Sequence, residues 1–391
     1  MERTSHQLTF GFPRMHKETG ERRDFLPPLI HTIADLGCAV FVEGGIGSGM
    51  GYVDRDYQRH AGVEVVDERT TYEQDVVIVL RAPEGKFEFV RPGATLLSML
   101  HFPTRPARVQ QLHRLGINAI SLDTIVDDEG RRLVVNGRAV AWNGLDAAFE
   151  QLELTWPSMS EARRRPVRVT VLGAGDIGKH AVEAATKYGN LERNRVYAAR
   201  GLPGIEVVTV GRNLTSDVPY MHERLSATDV LVDATQRDDP ARPLLSNDEI
   251  GLLPEHAVIS DLVVDPYLLD ADPPTVRGIE GIPQGSLDQY AFSVDDPAWD
   301  RLPPGIPTAA RRIVVSCYSW PGIHPAECME HYGLQLEPLL ETLIARGGFE
   351  GIRRDGTCSE RALWRGSLTA WLASQLTLAG ARHSALIHAG H

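Results

Sequence analysis

Gly173, Gly175 and Gly178 fall in the run Val167-Arg168-Val169-Thr170-Val171-Leu172-Gly173-Ala174-Gly175-Asp176-Ile177-Gly178, with a helical run from Lys179 onward. Val167, Val169, Thr170, Val171 and Leu172 are apolar or β-branched and read as a short buried strand. Between a strand and a helix, G-x-G-x-x-G spacing is the chemistry of pyrophosphate binding. The first glycine permits the tight turn, the second lets the phosphates approach the backbone, and the third lets the helix pack on its strand. The unpaired N–H groups of the helix start then face the anion. Gly173, Ala174, Gly175, Asp176, Ile177 and Gly178 are therefore expected to hold a dinucleotide. The following strand, Glu206 to Val210, ends in Gly211-Arg212-Asn213. A NAD-preferring fold places Asp or Glu there, to bond the ribose 2′-OH. Here the carboxylate is missing and Arg212 and Asn213 follow, which favours NADP(H), with NAD(H) the alternative if Arg212 is only a solvated loop residue.

Other chemistries find less support. The chain of 391 residues carries a net charge of −12 at pH 7, so it has no basic field to release counterions from a nucleic acid. Cys38, Cys317, Cys328 and Cys358 show no C-x-x-C spacing, which suggests neither a zinc site nor a disulfide framework. His16, His60, His113, His180 and His324 do not fall at metal-ligand spacing, and no metal is expected. Neither G-x-x-x-x-G-K-[ST] nor G-x-S-x-G occurs, leaving ATP-driven and hydrolytic chemistry without a motif. Met1 to His6 lacks an apolar signal core, and no run of about 18 apolar residues occurs. The expectation is a cytoplasmic protein without a membrane partner, ending in a solvated tail through His383, His388 and His391.

These residues must be positioned by strands and helices in alternation. Strands are expected at Leu8 to Phe12, Ala39 to Glu43, Val76 to Leu80, Thr95 to Leu100 and Ala119 to Leu122, with helices at about Pro27 to Leu36 and Ala107 to Leu115. Later strands are expected at Glu206 to Val210, Asp229 to Asp233, Ala257 to Asp261 and Arg312 to Ser316, before a long helix from Pro325 to Arg346. Such alternation gives parallel sheets covered on both faces. The fold class is α/β, with two Rossmann-like parallel-sheet domains and a ligand cleft between them. A substrate domain takes residues 1–154 and 326–391; the dinucleotide-binding domain takes 155–325. Leu191 to Gly204 reads as an insertion.

The first domain also carries Lys17-Glu18-Thr19-Gly20-Glu21-Arg22-Arg23, Gly45-Ile46-Gly47-Ser48-Gly49, Asp54-Arg55-Asp56-Tyr57 and Ala61-Gly62-Val63-Glu64-Val65-Val66. On these segments it resembles the amino-terminal domain of the alanine dehydrogenase and pyridine-nucleotide transhydrogenase family, whose layout recurs in lysine-forming saccharopine dehydrogenase. Asp128-Glu129-Gly130-Arg131-Arg132 and Ala141-Trp142-Asn143-Gly144 resemble the saccharopine branch; Trp320-Pro321-Gly322-Ile323-His324-Pro325 resembles the alanine branch.

The resemblance implies an amino-acid dehydrogenase or imine reductase performing reversible reductive amination of a 2-oxo acid, with ammonia or an amino acid as amine donor. Such an enzyme needs cationic anchors and a group titrating near neutrality. His101 stands where the family keeps its acid–base histidine. Arg81 stands at a substrate-contacting lysine; an arginine cannot act as a base, but its fork grips a carboxylate at two points. Arg23, or its neighbour Arg22, matches a second carboxylate-binding arginine. Asp265, or Asp261, matches the aspartate that orients substrate or nicotinamide ribose, and Leu262 lies in the segment bordering the nicotinamide. Asp123 replaces a family glutamate. The resemblance further implies a homo-oligomer. A rival reading is that the changes at Arg81 and Asp123 mark a nucleotide-binding redox sensor that has lost the reaction.

Overall fold

The computed structural model describes residues 7–15, 20–237, 239–271 and 274–377. Lys17, Glu18, Thr19, His16 and the expected tail lie outside them. The chain divides into two compact units, Met1–Val135 with His324–His391, and Asn136–Ile323.

In the first unit six parallel strands lie in the order β3-β2-β1-β4-β5-β6. They are β1 (Thr9–Phe12), β2 (Ala39–Glu43), β3 (Val63–Val66), β4 (Val76–Arg81), β5 (Thr95–Met99) and β6 (Asn118–Ser121). The apolar run Val76–Leu80 is buried throughout, as a central parallel strand covered on both faces must be. Pro27 and Pro28 open the helix Pro27–Asp35, and Gly37, at φ +87°, follows its end. The returning helix Pro325–Ala345 buries Cys328, Met329, Tyr332, Leu336, Leu339, Leu340 and Leu343 in the same core as Phe10, Ile30 and Ile33.

The second unit holds β7 (Val167–Leu172), β8 (Ile205–Val210), β9 (Val230–Asp233), β10 (Val258–Asp261), β11 (Ala291–Phe292) and β12 (Ile313–Ser316), in the order β11-β12-β10-β9-β7-β8. Five strands are parallel; the two-residue β11 runs antiparallel to β12 on the edge, a departure from an all-parallel sheet. The helix Gly137–Thr155 corrects the expected boundary. It stands in the second unit, because Ala141, Gly144, Leu145, Ala148, Phe149 and Leu152 bury there. Gly144 lets it close on β10: its carbonyl accepts from Ser260 Oγ at 3.2 Å, and a Cβ at this position would stand 2.2 Å from Leu262 Cδ2. The Leu191 to Gly204 insertion forms the helix Leu191–Ala199, tied to the same long helix by Arg193, which bonds Asp146 at 2.6 Å and Glu153 at 3.0 Å.

Candidate functional site

In the first unit Arg81, His101 and Asp123 stand at the carboxyl ends of β4, β5 and β6, three neighbours in the sheet. Open α/β sheets bind their ligands along that edge. The pairing of β4 with β5 shifts register between Ile78 and Arg81, and such a bulge re-aims the side chain that follows it.

His101 is half-exposed and lies at φ +51°, ψ +50°. This left-handed conformation is uncommon for a residue with a Cβ and is held only where surroundings impose it. Asp123 imposes it. One carboxylate oxygen accepts the His101 backbone N–H at 3.1 Å, and the other lies 3.4 Å from Nδ1. Ser121 Oγ donates to Asp123 at 2.6 Å and accepts the Leu100 N–H at 3.0 Å. Burial alone would raise the Asp123 pKa, but the bond to His101, its charge and the Ser121 hydroxyl outweigh it and hold the carboxyl well below the usual range. A fixed carboxylate on Nδ1 leaves Nε2 as the working nitrogen.

The two alternatives for the second arginine, Arg22 and Arg23, differ in their surroundings. Arg23 turns inward and is 3% exposed, while Arg22 is exposed. The Arg23 fork is already taken, with Nε donating to Glu21 Oε1 at 2.8 Å and Nη2 to Oε2 at 2.6 Å; Nη1 faces Cys328 Sγ at 3.9 Å. Burial opposes both charges, yet their pairing raises the Arg23 pKa and lowers that of Glu21, to which Arg81 also contributes. Burial and Cys328 push the Tyr332 phenol up to about 12 against the opposing charges of Arg23, Arg132 and Arg81. The sequence reading missed Glu21, although Glu-x-Arg spacing was its signal.

In the second unit the glycine turn meets each demand made of it. Gly173 is at φ +98°, and a Cβ there would lie 2.5 Å from the Ala234 carbonyl oxygen. A Cβ on Gly178 would lie 2.2 Å from the Gly173 oxygen, so the helix Asp176–Ala185 closes on its own turn. Around Gly175, by contrast, nothing lies within 4 Å of an added Cβ, and no side chain caps the helix start. That open cradle of backbone N–H groups fits a pyrophosphate. β8 ends at Val210, paired with Leu172, so Gly211, Arg212 and Asn213 stand directly after the strand with no carboxylate. Arg212 is exposed, its Nη2 3.5 Å from the Gln236 carbonyl oxygen.

Beyond β10 the structure separates the two candidate aspartates. Asp261 is 3% exposed; Oδ1 accepts the N–H groups of Val263 and Val264, and Oδ2 accepts from Ser316 Oγ and Arg277 Nη1. Asp265 is a third exposed and pairs through Oδ2 with Arg237 at 2.7 Å. Between them Val264 sits at φ +55°, a conformation that costs a β-branched residue on the order of 1–3 kcal/mol. Leu262, expected to border the nicotinamide, is 4% exposed, packs on Gly144, and gives its N–H to the Asp233 carbonyl. Asp233, buried at the end of β9, has its pKa raised by burial and by the charge of Asp261. Asp233, Arg237 and Arg277 were not singled out from sequence, since isolated charges in loops carry no periodic signal. Among the described residues no cluster of His, Cys, Asp or Glu is arranged for a metal ion, and no helix is long and apolar enough to cross a membrane.

Residues 12–137 match the family model described as alanine dehydrogenase/PNT, N-terminal domain. The matched segment lies almost wholly in the first unit. The chain is 24% identical over 280 residues to alanine dehydrogenase of Bacillus subtilis (strain 168), covering 66% of this chain and 71% of that protein. It is 25% identical over 279 residues to alanine dehydrogenase 2 of Staphylococcus aureus (strain Mu50), covering 66% and 72%. Among solved structures, an L-alanine dehydrogenase superposes with a TM-score of 0.64 at 18% identity, covering 92% of this chain and 94% of that one. The transhydrogenase from Sinorhizobium meliloti gives 0.59 at 16% identity, covering 91% and 97%. These likenesses show the fold: two Rossmann-like units, each built on a sheet of six mostly parallel strands.

Proposed function

We propose that the protein is a nicotinamide-nucleotide-dependent oxidoreductase of the amino-acid dehydrogenase type, which reductively aminates a 2-oxo acid or runs the reverse reaction. The amine comes from ammonia or an amino acid. The observation that carries the reading is the Gly173–Gly178 turn, where crowding demands glycine at two positions and only open space surrounds the third. The similarity to alanine dehydrogenases supports the choice of reaction.

The nucleotide, when bound, supplies or accepts the hydride. The chain binds its pyrophosphate through the backbone from Gly173 to Gly178. NADP(H) is the preferred carrier, because Arg212 and Asn213 offer a cation and an amide where a carboxylate would repel a 2′-phosphate. Arg81 anchors the substrate carboxylate, and the Glu21–Arg23 ion pair stands close enough to Arg81 to interact with its charge. His101 gives a proton to the substrate's carbonyl oxygen or imine nitrogen during reduction and takes it back during oxidation, its ring steadied by Asp123. Asp265, with Oδ2 fixed on Arg237, orients the bound partners.

The test is nicotinamide absorbance followed over a panel of 2-oxo acids with ammonia and with amino acids. Turnover with at least one pair is the expected result; nucleotide binding without any turnover would instead favour a redox sensor. Arg212→Asp should weaken NADPH by roughly tenfold, about 1.4 kcal/mol, and leave NADH little changed. An unchanged preference would remove Arg212 from the 2′-phosphate site.

A further inference from the structure

Val264 is held in a conformation that its β-branched side chain resists, and the restraints converge on it from three sides. Asp261 Oδ1 accepts its N–H at 2.9 Å and that of Val263 at 3.1 Å. Arg277, 1% exposed, reaches over from the loop before β11, where Nε donates to the Asp265 carbonyl at 3.0 Å and Nη1 to Asp261, Ser316 Oγ and the Pro283 carbonyl. Arg237, from the loop after β9, grips the Asp265 carboxylate at 2.7 Å, while its other bonds go to the carbonyls of Val276 and Arg242, both within 2.6 Å, and of Pro240 at 3.5 Å. Asp265 Oδ1 has no partner among the described residues, and the next two residues, Pro266 and Tyr267, form part of the wall of a cavity of about 490 Å³. A strained turn persists only when its surroundings over-determine it, and such turns gather where side chains must be presented in one orientation.

We infer that Arg237 and Arg277 are positioning residues, which clamp the Val264 turn so that Asp265 presents a free carboxylate oxygen at the carboxyl end of β10. The inference rests on the reading of Asp265 as a group that meets the bound nucleotide or substrate. Two arginines divide the work. Arg277 fixes the backbone of Asp265 from within the core, and Arg237 fixes its side chain from a partly exposed loop.

The test uses the full-length protein, with Arg237→Gln, Arg237→Lys and Val264→Gly, and the double variant that combines Arg237→Gln with Val264→Gly. Amide exchange over residues 262–268 reports the turn directly, and steady-state rates report presentation of Asp265. Arg237→Gln should speed exchange of the Val263 and Val264 amides by about tenfold and lower kcat by about tenfold, leaving the KM for nucleotide within about twofold of the parent value. Arg237→Lys should recover part of kcat, since it keeps a cation against Asp265. Glycine adopts φ +55° without strain, so the double variant should regain much of the lost rate. Parental exchange and kcat in Arg237→Gln would overturn the clamp; faster exchange with unchanged kcat would overturn its positioning role. An equal loss in Val264→Gly alone would assign the effect to side-chain packing instead. If Arg237→Gln does not fold, Asp265→Asn, which keeps the shape and removes the charge, should show the same faster exchange. Should the parent protein show no turnover with any substrate pair, the dehydrogenase reading fails, and exchange alone still decides whether the clamp exists.

Discussion

His101 and Asp123 work as one unit, and each fails differently when changed. His101→Ala removes the proton carrier and should lower kcat by roughly 10²–10⁴-fold with nucleotide affinity intact; equal loss of binding and turnover would deny the proton-transfer role. Asp123→Asn keeps an oxygen for the His101 N–H but loses the charge beside Nδ1, so a smaller fall in kcat is expected. A second carboxyl offers a pH test remote from this pair. Asp24 is 6% exposed and accepts the N–H groups of Met15 and Gly47, and burial raises its pKa from 3.8 to about 6. A raised folded-state pKa means that the native chain holds a proton the unfolded chain releases. Its contribution to stability is therefore greatest below 3.8 and declines as pH rises to about 6, by about 3 kcal/mol in all. Asp24→Asn cannot titrate, so thermal melts across this window should lose that decline relative to the parent; parallel slopes would sink the assignment. At this scale position was legible in the sequence: Arg81, His101 and Asp123 stand at or just beyond the carboxyl ends of their strands. What surrounds Arg23 was less legible: Glu21 is a local partner two residues away, but Cys328 comes from a segment that returns some three hundred residues later.

The glycine turn separates two reasons for conserving space. Gly175→Ala adds a Cβ with nothing within 4 Å, at φ −72°, so melting should be unchanged within about 0.5 kcal/mol. The same methyl stands where the pyrophosphate must approach, and nucleotide affinity should fall by at least about tenfold. Gly178→Ala instead drives its Cβ to 2.2 Å from the Gly173 oxygen, and should cost about 1–3 kcal/mol by overpacking before any ligand is added. Equal destabilisation by the two changes would refute the division. Elements of this kind were legible because a buried parallel strand is a continuous apolar run: β2 and β7 stand where the composition put them, and β4, β5 and β10 lie within a residue of it. β3, with Glu64 inside a four-residue edge strand, and the two-residue β11 carry too little pattern to register. The helix Gly137–Thr155 was hidden by its small residues Ala141, Gly144, Ala147 and Ala148, which serve close packing and weaken the amphipathic signal.

Among the described residues, each cluster of the buried core lies within one unit. The clusters containing Phe10 with Leu340 and Leu96 with Leu368 draw only on residues before Val135 or after His324, and those containing Val169 with Trp320 and Leu231 with Trp299 draw only on Asn136–Ile323. The second unit is also one uninterrupted stretch of chain, with its own capped entry helix, six-stranded sheet and glycine turn. A segment that holds a complete core folds independently of its neighbours. Expressed alone, residues 136–323 should therefore unfold in one cooperative transition and bind NADPH, because every group assigned to the nucleotide lies inside it. It should show no turnover with any 2-oxo acid, since Arg81, His101 and Asp123 are absent from it. Aggregation of the fragment, or a folded fragment that ignores the nucleotide, would mean that the first unit supplies part of the nucleotide site.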